Sequence, residues 1–178
     1  MRDLQTHHRR SIRLKGYDYS SAGMYLVTIV TYNRECLFGD IRDGEMRLNE
    51  SGRIAYSEWL GSKKIRREIE LDVFVVMPNH LHGIVAIIED VGAHGGAPLS
   101  GRAPQQPYRL PRSLGSFIAG YKSIVTKRIN QMRDTPAAPV WQRNYQERII
   151  RDERELLKMQ KYIQNNPAQW ELDKEKTV

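Results

Sequence analysis

The sequence predicts an α+β domain: the split βαβ sheet of a ferredoxin-like fold with an added hairpin and a C-terminal helix. Three observations predict it. Segments of strand composition and segments of helical period follow one another in the order β, α, β, β, α, β once an early hairpin is set aside. The two middle strands are near-continuous apolar runs, so their sheet is covered over much of its area. A last amphipathic helical segment follows the final strand and needs a sheet face to pack on. The 178 residues fit a single domain spanning 1–178, large enough to bury a core without staples.

Met24 to Asn33, rich in Val, Ile, Thr and Tyr, reads as the first strand and would include Tyr25 and Tyr32. Cys36 to Leu48 holds Asp43-Gly44, a dipeptide suited to a type I′ turn, which predicts a short hairpin. Asn49 or Ser51 can cap the next helix, which turns Ile54, Ala55, Trp59 and Leu60 towards the core and ends in Lys63, Lys64, Arg66 and Arg67. Strands Glu70 to Met77 and His80 to Ile88 follow, joined tightly at Pro78-Asn79. Residues 89–111, with Gly-Gly and several prolines, read as a mobile surface loop. Arg112 to Arg133 is a second helix with Leu114, Phe117, Ile118, Tyr121, Ile124 and Val125 at helical spacing, and Tyr145 to Arg151 is the last strand.

The final helix begins at Asp152, with Glu155 three residues on as in a capping box, and Pro167 ends it after about four turns. Leu156, Met159 and Ile163 form its apolar stripe, and at ~100° per residue Tyr162 and Asn166 fall together on one border. Lys158, one turn before Tyr162, shares that side, and Asn165 lies on its flank.

Composition narrows the function classes. One cysteine, Cys36, excludes an internal disulfide framework and fits a reduced, cytoplasmic protein. The opening residues lack the apolar core of a signal peptide, and no run reaches membrane-spanning length. A net charge of +7 favours a polyanionic partner. Arg9, Arg10, Arg13 and Lys15, interleaved with Tyr17 and Tyr19, and the Lys63–Arg67 cluster suit a phosphate backbone and stacked, unpaired bases, although such clusters are more often solvated faces.

The chemistry is concentrated in Pro78-Asn79-His80-Leu81-His82-Gly83. Two histidines one residue apart on a strand share a face, and their imidazoles can converge on one divalent ion if a third ligand arrives from elsewhere. The tyrosine helix can bring it: a carboxamide one turn from a hydroxyl offers a ligand beside a nucleophile. That makes His80, His82 and Asn166, with Asn165 as the flanking alternative, candidate metal ligands, Tyr162 the candidate nucleophile, and Lys158 a candidate for steadying its phenolate or touching a phosphate. Imidazole and carboxamide suit Mg²⁺ or Mn²⁺ used with a phosphate oxygen, and the absence of a cysteine set argues against structural zinc. Tyr121 and Tyr145 read as packing residues, and His7, His8 and His94 as exposed and silent.

Val75-Val76-Met77-Pro78-Asn79-His80-Leu81-His82-Gly83-Ile84 and Tyr162-Ile163-Gln164-Asn165-Asn166-Pro167 together resemble the single-tyrosine HUH transposases, in particular the REP-associated tyrosine transposase branch. Arg10-Ser11-Ile12-Arg13-Leu14, Tyr17-Asp18-Tyr19 and Trp141-Gln142-Arg143-Asn144-Tyr145 fit it too, so the likeness runs from about residue 10 to residue 170. The chain departs from it at Arg148, where members often carry a histidine. The resemblance selects Asn166 over Asn165. It implies metal-dependent cleavage and transfer of hairpin-bearing single-stranded DNA through a 5′-phosphotyrosine link, by a monomer or homodimer. The substrate it implies is a repetitive extragenic palindrome or an element end. Two other readings stand beside it: a non-catalytic hairpin DNA or RNA binding module of the same fold, and a metallohydrolase with a water nucleophile.

Overall fold

The structure is a computed structural model and describes residues 21–88 and 112–172. The basic opening segment with Tyr17 and Tyr19, the 89–111 loop, and His7, His8 and His94 lie outside the described residues. The elements are β1 (Gly23–Val30), β2 (Gly39–Arg42), β3 (Glu45–Leu48), α1 (Glu50–Ile65), β4 (Ile69–Met77), β5 (His80–Ile87), α2 (Leu114–Arg133), β6 (Gln146–Ile150) and α3 (Glu153–Asn165). Short 3-10 turns follow β1 and α3, at Tyr32–Arg34 and Pro167–Leu172.

The main sheet runs β4-β5-β1-β6, antiparallel at every contact. The crossovers β1-α1-β4 and β5-α2-β6 are each split by a strand of the other, which is the ferredoxin-like arrangement that the element order predicts. β2 and β3 form a separate hairpin whose turn residues Asp43 and Gly44 take φ of 53° and 76°. Positive φ at both corners is the I′ geometry that Asp-Gly allows.

Period-2 alternation divides the side chains between two faces. Tyr25, Val27 and Ile29 of β1 and Leu81, Val85 and Ile87 of β5 join Ala55 and Trp59 of α1 and Leu114, Phe117, Ile118, Tyr121, Val125 and Ile129 of α2 in the main core. On the other face Ile84, Ile150, Met159 and Ile163 form a smaller core under α3, with Met24, Leu26, Val73 and Val75 at its edge.

Some details differ from the sequence reading or settle an alternative that it left open. β1 ends at Val30, so Tyr32 lies in the 3-10 turn and not in a strand. Leu60 and Ile124 are exposed, because each lies about 100° round its helix from the residue that faces the core, Trp59 and Val125 respectively. Asn49, not Ser51, caps α1, its side chain accepting from the Gly52 N–H at 2.9 Å.

Candidate active site

β5 carries the first half of the site. His80 and His82 alternate with the core residues Leu81 and Val85, so both imidazoles stand on the α3 face. The turn before them, Pro78-Asn79, cannot be type I′ because proline excludes positive φ at its first corner. It is held from outside instead. Phe38 N–H donates to Pro78 O at 2.9 Å, and Thr31 N–H donates to Asn79 O at 2.8 Å.

His80 is fully buried, its Nδ1 2.8 Å from Asn79 Oδ1. Burial, with the nearby Arg34 guanidinium adding to it, pulls its pKa down to about 3. The ring is therefore neutral at ordinary pH, the form in which imidazole binds metals. His82 is buried as well, and Thr28, directly across from it on β1, meets its Nδ1 with Oγ1 at 2.7 Å. The two imidazole centroids are 4.5 Å apart.

α3 brings the second half. Asp152 caps it, accepting from the Glu155 N–H at 2.7 Å. The Glu155 carboxylate reaches back to the Arg151 N–H rather than to that of Asp152, so the capping box closes one residue early. Arg148, on β6, grips the same carboxylate at 2.6 Å. That arginine, standing where the resemblance leads one to expect a histidine, here fastens the start of α3. Farther along, Gln160 donates to Asp72 Oδ2 at 2.8 Å, beside the irregularity in β4 between Leu71 and Phe74. Met159 and Ile163 seal the helix to the sheet.

So anchored, α3 brings the Tyr162 hydroxyl to 3.2 Å from His82 Nε2, with the two rings edge to face and centroids 5.2 Å apart. The tyrosine keeps 39% of its surface exposed, so the hydroxyl sits between the buried histidines and solvent. Asn166, one turn on, is only 3% exposed, and its buried Oδ1 has no hydrogen-bond partner among the described residues. A buried, unsatisfied carboxamide oxygen is costly unless something supplies a positive partner. Asn165 is exposed, and so is Lys158. His82 is thus in contact with both His80 and Tyr162, Asn166 is buried one turn beyond Tyr162 at the C-cap of α3, and Lys158 stands one turn before it at the surface.

The other described tyrosines occupy different settings. Tyr121 is buried and donates to Ala55 O at 3.0 Å, and burial together with Glu58 pushes its phenol well above 10. Tyr25 lies in the main core and Tyr145 packs against it. Tyr32 and Tyr56 are exposed elsewhere.

Trp170 has no place in the sequence reading, yet its ring stacks on His80 at 29° and 6.1 Å. Trp170 lies beyond Pro167, where the chain coils on as a 3-10 turn and carries the ring back to the site. The basic cluster at the end of α1 sits across the sheet from this site. Arg66 is committed there to Glu68 at 2.5 Å and to Ser116, and Lys63 lies 3.8 Å from Glu70.

A Haemophilus influenzae protein, itself uncharacterised, is 45% identical over 168 residues, covering 94% of this chain and 92% of its own. The solved structure of a REP-associated tyrosine transposase bound to a REP hairpin superposes with a TM-score of 0.61 over 93% of this chain and 77% of that one, at 17% identity. The chain belongs to the family of the Haemophilus protein and has the fold of the REP-associated tyrosine transposases. No protein-family model matches it. Within this transposase fold the site lies between the inner strand β5 and the helix that follows the last strand. No helix among the described residues is long and apolar enough to cross a membrane.

Proposed function

We propose that the chain cleaves single-stranded, hairpin-bearing DNA and rejoins it to a new strand, with Tyr162 as the nucleophile. The observation that carries this reading is the Tyr162 hydroxyl at 3.2 Å from His82 Nε2, at the mouth of a buried histidine pair. The phenolic oxygen attacks the scissile phosphorus in line. The bond from phosphorus to the 3′-oxygen breaks, the departing strand takes a proton as its 3′-hydroxyl, and a 5′-phosphotyrosine remains. A second 3′-hydroxyl reverses the step on another strand, so the phosphodiester energy is conserved and no nucleotide cofactor is consumed.

His80, His82 and Asn166 are the proposed ligands of a Mg²⁺ or Mn²⁺ ion. The neutral His80 ring and the unsatisfied Asn166 Oδ1 fit such an ion, and a hard cation prefers that oxygen. When bound it would neutralise charge growing on the phosphate oxygens. A phenol titrates near 10, so its proton needs an acceptor at neutral pH. His82 Nε2 is within reach of it. That nitrogen has one lone pair, however, and serves the phenol or an ion at any moment but not both. Lys158 is the proposed cation beside the phenolate. The proposed substrate is a palindromic hairpin, in keeping with the REP hairpin bound by the solved relative.

The test is incubation with labelled hairpin oligonucleotides and Mn²⁺, followed by denaturing electrophoresis. The wild type should form a detergent-resistant adduct whose nucleotide maps to the peptide holding Tyr162, and Tyr162→Phe should bind the hairpin and form none. Hairpin binding with no cleavage would identify a non-catalytic module. Cleavage without adduct would identify a hydrolase that uses water.

A further inference from the structure

Asn79 is fully buried between the catalytic face and the segment that follows β1, and both ends of its carboxamide are in use. Its Nδ2 donates to Arg34 O at 3.2 Å. A carbonyl accepts only, so this contact fixes which end of the amide is nitrogen. The oxygen end therefore faces His80 Nδ1, at 2.8 Å. Two acceptors cannot share a hydrogen bond, so Nδ1 must carry the hydrogen, and a neutral imidazole with its hydrogen on Nδ1 has its lone pair on Nε2. We propose that Asn79 is the positioning residue of the site: its carboxamide holds His80 in the Nδ1–H tautomer and so presents Nε2 as a donor to a metal ion.

The turn is built to keep that carboxamide in place. Asn79 O takes the Thr31 N–H at 2.8 Å and faces Thr31 Oγ1 at 2.9 Å. Asn33 and Arg34 hold left-handed φ of 51° and 57°, uncommon for side-chain-bearing residues, in the stretch that delivers the Arg34 carbonyl to Nδ2. The two hydroxyls on His82, Thr28 Oγ1 at Nδ1 and the Tyr162 hydroxyl at Nε2, can each donate or accept, so neither of them by itself sets its tautomer. A partner on the far ring nitrogen that fixes tautomer and orientation is what imidazole ligands of metals require.

The proposal rests on the reading of His80 as a ligand, but the tautomer can be measured without metal. Long-range proton–nitrogen spectra of metal-free protein with ¹⁵N-labelled histidine, the His80 signals assigned through His80→Gln, report which nitrogen is protonated. The wild type should show Nδ1–H. Asn79→Leu should move the hydrogen to Nε2 in part or in full and weaken Mn²⁺ binding roughly 10- to 100-fold. A wild-type His80 protonated on Nε2 overturns the proposal, even if the leucine variant fails to fold, and so does Asn79→Leu binding Mn²⁺ as tightly as the wild type. A wild type with Nδ1–H that binds no Mn²⁺ refutes the metal reading, and with it the purpose assigned to Asn79, while its hold on the ring remains.

Discussion

The two faces of β5 differ in what covers them and in what they carry. Leu81, Val85 and Ile87 look towards two helices and a dense aromatic cluster, in which the Trp59 ring lies 5.4 Å from Phe117, 5.1 Å from Tyr121 and 5.9 Å from Phe74. His80, His82 and Ile84 look towards one helix and a small core. The strand thus gives one row of side chains to the main core and the other to a buried polar pair and a smaller core. A buried imidazole needs a partner, and here His80 Nδ1 has one in the preceding residue, Asn79, and His82 Nδ1 one in Thr28 on the adjacent strand. The same alternation that seals one face leaves room for chemistry on the other.

The largest test of that division is Trp59→Ala, which should lower stability by about 3–5 kcal/mol by denaturant unfolding. A loss below about 1 kcal/mol would mean that the two-helix face is not the principal source of stability. Gly83 comes next. A Cβ there would lie 2.5 Å from Trp59 Cζ2 and 3.2 Å from Phe74 Cβ, both parts of a packed interior. Gly83→Ala should cost about 1–3 kcal/mol through overpacking, while hairpin binding by the folded fraction stays at the wild-type level. Impaired binding without lost stability would show that the faces are coupled.

On the other face acid is the probe. His80 has a folded pKa of about 3 against an ordinary value of 6.5. Between those values the unfolded chain holds a proton that the folded chain refuses, so stability should fall as pH drops through that window and be unaffected by this group above it. The slope should be about 1.4 kcal/mol per pH unit for one proton. Unfolding of metal-free wild type and His80→Gln at a series of pH values should show that component in the first and not in the second. Equal slopes would contradict a buried, neutral His80. The smallest stability effect belongs to Tyr162→Phe, which removes one partly exposed hydrogen bond and should change unfolding free energy by less than about 1.5 kcal/mol. A larger loss would make Tyr162 a structural residue, contrary to the division of labour between the faces.

Much of this was legible from residue order. The element sequence gives the sheet, Asp43-Gly44 gives a turn that only positive φ satisfies, and the period-2 rule puts His80 and His82 on one side. Helical spacing sets Tyr162 and Asn166 on one border of α3 in the same way. What is not legible depends on pairing and on the width of buried surfaces. Thr28 meets His82 through a register that joins residues 54 apart, which no local pattern encodes. Leu60 and Ile124 fit the apolar pattern but fall beyond the stripe that the sheet covers, since periodicity gives a direction and not a breadth. Trp170 is hidden by Pro167, which reads as the end of helical order although the coil persists beyond it. Asn79 looks like an ordinary turn residue until Arg34 arrives from 45 positions earlier.

The 80 residues between His82 and Tyr162 also impose a timetable. A polypeptide grows by about 5–20 residues each second, so the tyrosine is made on the order of 4–16 s after the histidines. In that interval the chain also makes β6, the strand that pairs with the open side of β1, before it makes α3. A growing chain therefore holds both imidazoles but no phenol to meet them. Under the proposed chemistry it cannot attack nucleic acid before that tyrosine is made, a delay set by how far along the chain the tyrosine is encoded.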